Sequence, residues 1–278
     1  MRECKVMKEI RGKNAVDGAG VHLVRVLGRS DTKDFDPFLM LDSFDSKDYR
    51  DYIAGFPMHP HRGIETITYL ISGEIDHQDS LGNKGKIGPG EAQWMTAGSG
   101  ILHQEMPQES ERMLGFQLWL NLPSMEKMAE PQYLNIEKEQ IPVKQAGDVE
   151  IRVLSGSFEG VKGVTPKYIQ ASIYDILLSA GGQIEIPVNP EENVFLFLME
   201  GDALIEERRI LSKTAVLFDN GASIKVEAPA DADLRFIFFS GKPLHEPIAW
   251  GGPIVMNTDS ELMDAFEELE QGTFIKHK

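Results

Sequence analysis

The chain has 278 residues, 41% hydrophobic and 26% charged, enough to bury a core in one large domain or two ordinary ones. Its 28 Lys and Arg stand against 44 Asp and Glu, a net charge of −16. So acidic a chain has no electrostatic reason to hold a phosphate backbone, and direct nucleic-acid binding is not expected. The single cysteine, Cys4, excludes an intrachain disulfide and suits a reducing compartment. No apolar run is long enough to span a membrane, and the N-terminal stretch lacks the apolar core of a signal peptide. The expectation is a cytoplasmic monomer without membrane attachment, with contact to a protein partner left open.

In chain order, short β-rich runs are punctuated by Gly, Pro, Asn and Asp. They include "VHLVRVLG" from Val21, "ETITYLISGEIDH" from Glu65, "IRVLSGSF" from Ile151, "YDILLSA" from Tyr174, "NVFLFLMEGDALI" from Asn193 and "LRFIFFSG" from Leu234. Many short strands separated by turn signals predict an all-β sandwich or barrel. Residues 121–149 lose that rhythm and are rich in Pro, Gln and charge, which puts a boundary near residue 140. The predicted domains are therefore 1–140 and 141–278.

The two halves resemble one another. "TITYLISGEI" around Gly73 matches "VFLFLMEGDAL" around Gly201, each an apolar strand, a glycine turn and a second strand. Near the C-terminus, "NTDSELMDAFEELEQG" predicts one helix within the second domain, with Thr258 as N-cap and Glu261 closing a capping box. Leu262, Ala265, Phe266 and Leu269 form its apolar stripe, and Gly272 stops it. That stripe is expected to pack on a sheet rather than to bind a partner.

Chemistry concentrates in "GFPMHPHRGIETI", residues 55–67. On a strand, residues i and i+2 share a face, so His59 and His61 stand side by side. A second i, i+2 pair, His103 and Glu105, follows in "WMTAGSGILHQEMP". Two such pairs on facing strands supply three imidazoles and a carboxylate, a set that suits a transition metal with positions left open for oxygen and substrate. A single cysteine cannot build the thiolate cage that usually closes a structural zinc site. Carrying the spacing from Gly73 to Gly201 forward from His59 and His61 lands on Pro187 and Asn189, so one metal site is expected, in the first half. The plain alternative is two structural histidines beside an Arg62–Glu65 surface ion pair. His22, His77, His245 and His277 lack paired neighbours and read as surface or polar-contact residues. The glycines of "LGNKGKIGPGE" read as strand turns, not a phosphate loop.

The stretch from His59 to Pro107, together with "DPFLMLDSF" and "EPIAWGGPIVMNT", closely resembles the pirin family of the cupin superfamily over nearly the whole chain. The resemblance implies a bicupin: two face-to-face jelly-roll β-barrels, metal in the first and none in the second, with a short C-terminal helix. It also implies one mononuclear divalent metal held by His59, His61, His103 and Glu105. Fe(II) is the expected ion, with Ni, Cu, Co, Mn and Zn as alternatives. The implied activity is a quercetin 2,3-dioxygenase type of ring cleavage, with an aromatic enediol and dioxygen as substrates. The other role known in the family is that of an iron-dependent regulatory protein.

The broader cupin pattern puts its ligand glutamate where Glu65 stands and a histidine soon after Pro89 and Gly90, where this chain has none. The pirin pattern makes Glu105 the ligand and Glu65 an outer residue near Arg62. Glu105 is also the expected general base for the substrate proton, and Phe56, Trp94 and Met95 are candidate apolar walls.

Overall fold

The computed structural model describes residues 2–277. Nearly all regular structure is antiparallel β, and the chain divides into two compact units, each built from a seven-stranded and a four-stranded sheet. The large sheet of the first unit runs Gln132–Ile136, Ala92–Thr96, Ile64–Ser72, Met113–Asn121, Phe38–Ser46, Val21–Leu27, Lys13–Asp17. Its small sheet runs Phe56–His61, Ile101–Gln108, Glu74–Asp79, Lys84–Ile87. In the second unit the large sheet runs Val6–Arg11, Thr214–Phe218, Asn193–Glu200, Leu234–Gly241, Ser172–Leu178, Val149–Ser155, Val143–Ala146. Its small sheet runs Gln183–Pro187, Ser223–Glu227, Ala203–Ile205, Arg208–Ile210.

Strand for strand, the two orders correspond, which is the duplication heard in the sequence. They differ in the edge strand taken up beside Ala92–Thr96 and Thr214–Phe218. The first unit uses Gln132–Ile136, from the segment in which the sequence puts the domain boundary, and the second uses Val6–Arg11 from the N-terminus.

A single cut near residue 140 therefore needs correcting. Residues 2–13 and 33–36 belong to the unit built on residues 139–243, whereas 244–277 belong with 14–32 and 37–138. The cause is strand pairing: Val6–Arg11 alternates half-buried and exposed positions and ladders from Val6↔Phe218 to Arg11↔Thr214. An unpaired Thr214–Phe218 edge would expose a row of backbone donors and acceptors.

The C-terminal helix, Asp259–Glu270, forms with the capping box on Thr258 and Glu261, and Gly272 adopts φ 70° just beyond its end. It lies in the first unit, not the second where it was expected. Ala265 is buried with Ile254, Met256 and Phe274, while Phe266 is exposed.

The sheets enclose apolar cores. In the second unit Ile184, Ile186, Ile224 and Val226 of the small sheet are all buried in one continuous cluster. The corresponding strands of the first unit are those that carry His59, His61, His103 and Glu105. Phe56–His61 holds Pro57 and Pro60, which it tolerates because it is the edge of its sheet. Gly63, just after it, sits at φ 75°, where an added Cβ would lie 1.9 Å from the Val255 carbonyl oxygen. Only glycine permits that approach.

Candidate metal centre

His59 and His61 share a face of the edge strand, and the antiparallel ladder sets His103 opposite His59 and Ile101 opposite His61. A register shift between His103 and Glu105 then brings Glu105 opposite Phe56. The three imidazoles consequently converge, each offering a ring nitrogen within 4.8 Å of the others. Ring centroids are 4.4 Å apart for His59 and His103, 4.8 Å for His59 and His61, and 5.0 Å for His61 and His103.

Tautomers can be read from the backbone. His59 Nδ1 lies 2.9 Å from the Pro57 carbonyl oxygen and His61 Nδ1 lies 3.1 Å from that of Pro253. A carbonyl only accepts, so each Nδ1 carries a hydrogen, and Nε2 of each neutral ring is left as a lone pair. Those two Nε2 atoms face one another at 3.0 Å, an arrangement that wants a proton or a cation between them. His103 is buried with no hydrogen bond to either ring nitrogen among the described residues. Burial, reinforced by the neighbouring imidazoles, pushes His61 and His103 well below the ordinary histidine range and keeps them neutral, the form that ligates metal. Backbone carbonyls fixing the rings from behind are the usual support of metal-binding histidines. The donor set thus fits a transition metal.

Glu105 is buried with one carboxylate oxygen 3.9 Å from His103 Nε2. Gln117 Nε2 donates to both of its oxygens at 2.9 Å, and Thr68 Oγ1 donates to one at 3.2 Å. Gln117 is itself oriented by Trp119, whose Nε1 donates to Gln117 Oε1 at 3.0 Å. These supports did not emerge from the motifs. Their signal is a polar side chain inside an otherwise apolar run, "GFQLWLN", where alternation points Gln117 and Trp119 to the same face.

Glu65 is elsewhere. Three residues before Thr68 on one strand, it points to the opposite face of the sheet and accepts from Thr96 Oγ1 at 2.7 Å. Arg62 is buried, donating to the carbonyls of Ser99 and Phe274 and pairing with Glu268, so it is no surface residue. His77, read as a surface or polar-contact residue, is also buried: it lies opposite Glu105 in the ladder and stacks on Tyr133 with ring centroids 5.5 Å apart. His22 and His245 are exposed, and His277 lies 4.0 Å from Glu130.

His59, His61 and Glu105 border a cavity of about 620 Å³. Met40, Phe44, Phe56 and Trp119 line it, whereas Trp94 and Met95 are buried and do not. At its polar side Arg25 makes two bonds to Asp42, at 2.7 and 2.9 Å, and one to Asp17 at 2.6 Å.

The fold and the donor set define a two-cupin protein with one metal-competent histidine centre among the described residues. Residues 20–120 match the family model Pirin and residues 173–275 the Pirin C-terminal cupin domain. A pirin-like protein of Caulobacter vibrioides is 43% identical over 97% of this chain and 98% of its own. A Pseudomonas aeruginosa protein named "putative quercetin 2,3-dioxygenase" is 42% identical over 94% of each. The crystal structure of quercetin 2,3-dioxygenase from Acinetobacter baumannii superposes with a TM-score of 0.90 at 30% identity, covering 98% of this chain and 99% of that one. The chain belongs to the pirin family. No helix among the described residues is long and apolar enough to cross a membrane.

Proposed function

We propose that this protein is a metal-dependent dioxygenase that opens the central ring of a quercetin-type flavonol. In that reaction C3 leaves as carbon monoxide and both atoms of dioxygen enter the ester product. The observation that carries the reading is the convergence of three buried or half-buried imidazoles, with Glu105 beside them, at an aromatic-lined cavity. The name of the Acinetobacter neighbour supports it.

His59, His61, His103 and Glu105 would hold one divalent transition metal, Fe(II) foremost. When bound, the ion supplies Lewis acidity that lowers the pKa of a coordinating hydroxyl. The protein's own groups do the rest. Glu105 takes the proton of the substrate's 3-hydroxyl as general base, and Gln117 and Thr68 hold the carboxylate at the angle this requires. Phe44, Phe56 and Met40 exclude water and keep a planar substrate against Trp119.

The test is oxygen uptake and carbon monoxide release by anaerobically iron-loaded protein mixed with quercetin. His59→Ala and His61→Ala should each abolish turnover and lower retained metal while circular dichroism stays unchanged, since two cores of this size do not depend on metal to fold. Absence of turnover in loaded wild-type protein, or full activity in either variant, would overturn the reading.

A further inference from the structure

We propose that Arg29 sets substrate specificity by binding an acidic group at the outer end of the ligand. This rests on the dioxygenase reading and refines its substrate class to a planar aromatic enediol with a carboxylate or ionised phenol remote from the enediol.

The charges around the cavity lead there. Asp17 and Asp42 are both engaged by Arg25, and Glu105 by Gln117 and Thr68. Arg29 also lines the cavity, is exposed, and has no carboxylate within ion-pair distance among the described residues. It is the cavity's one cation without an anionic partner among them.

Its position is held. Gly28 donates its N–H to the Asp31 carboxylate and accepts from the Asp31 N–H at 2.9 Å, and Thr32 Oγ1 donates to the Arg29 carbonyl. The guanidinium lies 5.6 Å from the centre of the Trp250 ring. Trp250 is 6.0 Å from Trp119, and Trp119 meets the edge of His61 at 4.9 Å. A continuous aromatic wall therefore runs from the exposed guanidinium at one end to the buried imidazoles at the other. A flat ligand against that wall, with its enediol at the histidines, turns its far end toward Arg29. A guanidinium over an indole ring can still offer two N–H groups to a carboxylate, which lysine cannot reproduce.

The experiment measures binding, not turnover. Protein loaded with Zn(II) is titrated with 3-hydroxyflavone and with 7-carboxy-3-hydroxyflavone, following quenching of tryptophan fluorescence. Wild type should bind the carboxylate about tenfold more tightly, as expected for one charge-assisted hydrogen-bonded contact. The preference should shrink with added salt, vanish in Arg29→Gln and return only in part in Arg29→Lys. Equal binding of the two flavones by wild type, or an unchanged preference in Arg29→Gln, overturns the role of Arg29 and leaves the dioxygenase reading standing. Failure of both flavones to bind overturns both.

Discussion

Replacing Glu105 by Gln should cost the protein its metal, whereas the same change at Glu65 should not. The two carboxylates are both buried, yet they lie on different faces of their sheets. Glu105→Gln removes a carboxylate that lies 3.9 Å from His103 Nε2. It also points an amide NH2 at the NH2 of Gln117, which now donates to both carboxylate oxygens. Gln117 relieves that clash only by flipping, which breaks its acceptance from Trp119 Nε1. Losing an outer-shell partner alone lowers metal affinity about 10- to 100-fold. Loss of the charged donor together with its support should exceed ~100-fold, or roughly 2.7 kcal/mol. Glu65→Gln keeps an oxygen to accept from Thr96 and should change affinity less than ~10-fold, below that outer-shell range. The assay is competition with a metal-binding chromophore across the two variants and wild type, with melting curves as the control for folding. A larger loss in Glu65→Gln than in Glu105→Gln would refute the assignment and restore the ordinary cupin ligand pattern.

Three further outcomes concern stability and association. Lys127 is buried and its ammonium donates to the carbonyls of Gly63 and Val255 and to Asn121 Oδ1. Lys127→Met leaves these acceptors unpaired and should destabilise by about 2–4 kcal/mol, seen as a fall of several degrees in melting temperature. Burial pushes Lys127 down to about 7, far below its unfolded value of 10.5, so above pH 7 the unfolded chain binds the extra proton and stability rises with pH. The difference between wild type and Lys127→Met should accordingly widen from pH 7 to pH 9, and a constant difference would contradict it. Deleting residues 1–13 removes the strand that covers Thr214–Phe218. Size-exclusion chromatography should then show association or aggregation through that edge, with a lowered melting temperature.

Local rules carried much of the site. Alternation on a strand is a property of the backbone, so His59 beside His61 and His103 beside Glu105 were legible from two-residue spacing alone. The capping box on Thr258 and Glu261 was legible for the same reason, because all its partners lie within four residues. The repeated strand–glycine–strand pattern around Gly73 and Gly201 likewise announced two related sheets.

What tertiary structure decided is what depends on partners distant in sequence. No motif marks Val6–Arg11, and only pairing across some two hundred residues assigns it to Thr214–Phe218. The face that Glu65 takes follows from the ladder between Ile64–Ser72 and Met113–Asn121, which turns Thr68 and Gln117 together toward Glu105. Burial of His77 and Arg62 depends on Tyr133 and Phe274, residues from segments that show no motif. In the second unit the matching small-sheet strands bury isoleucine and valine where the first unit carries His59, His61, His103 and Glu105. The sequence by itself determined the spacing of the donors. Only the registers between strands, set by which apolar faces bury against each other, decided where those donors meet.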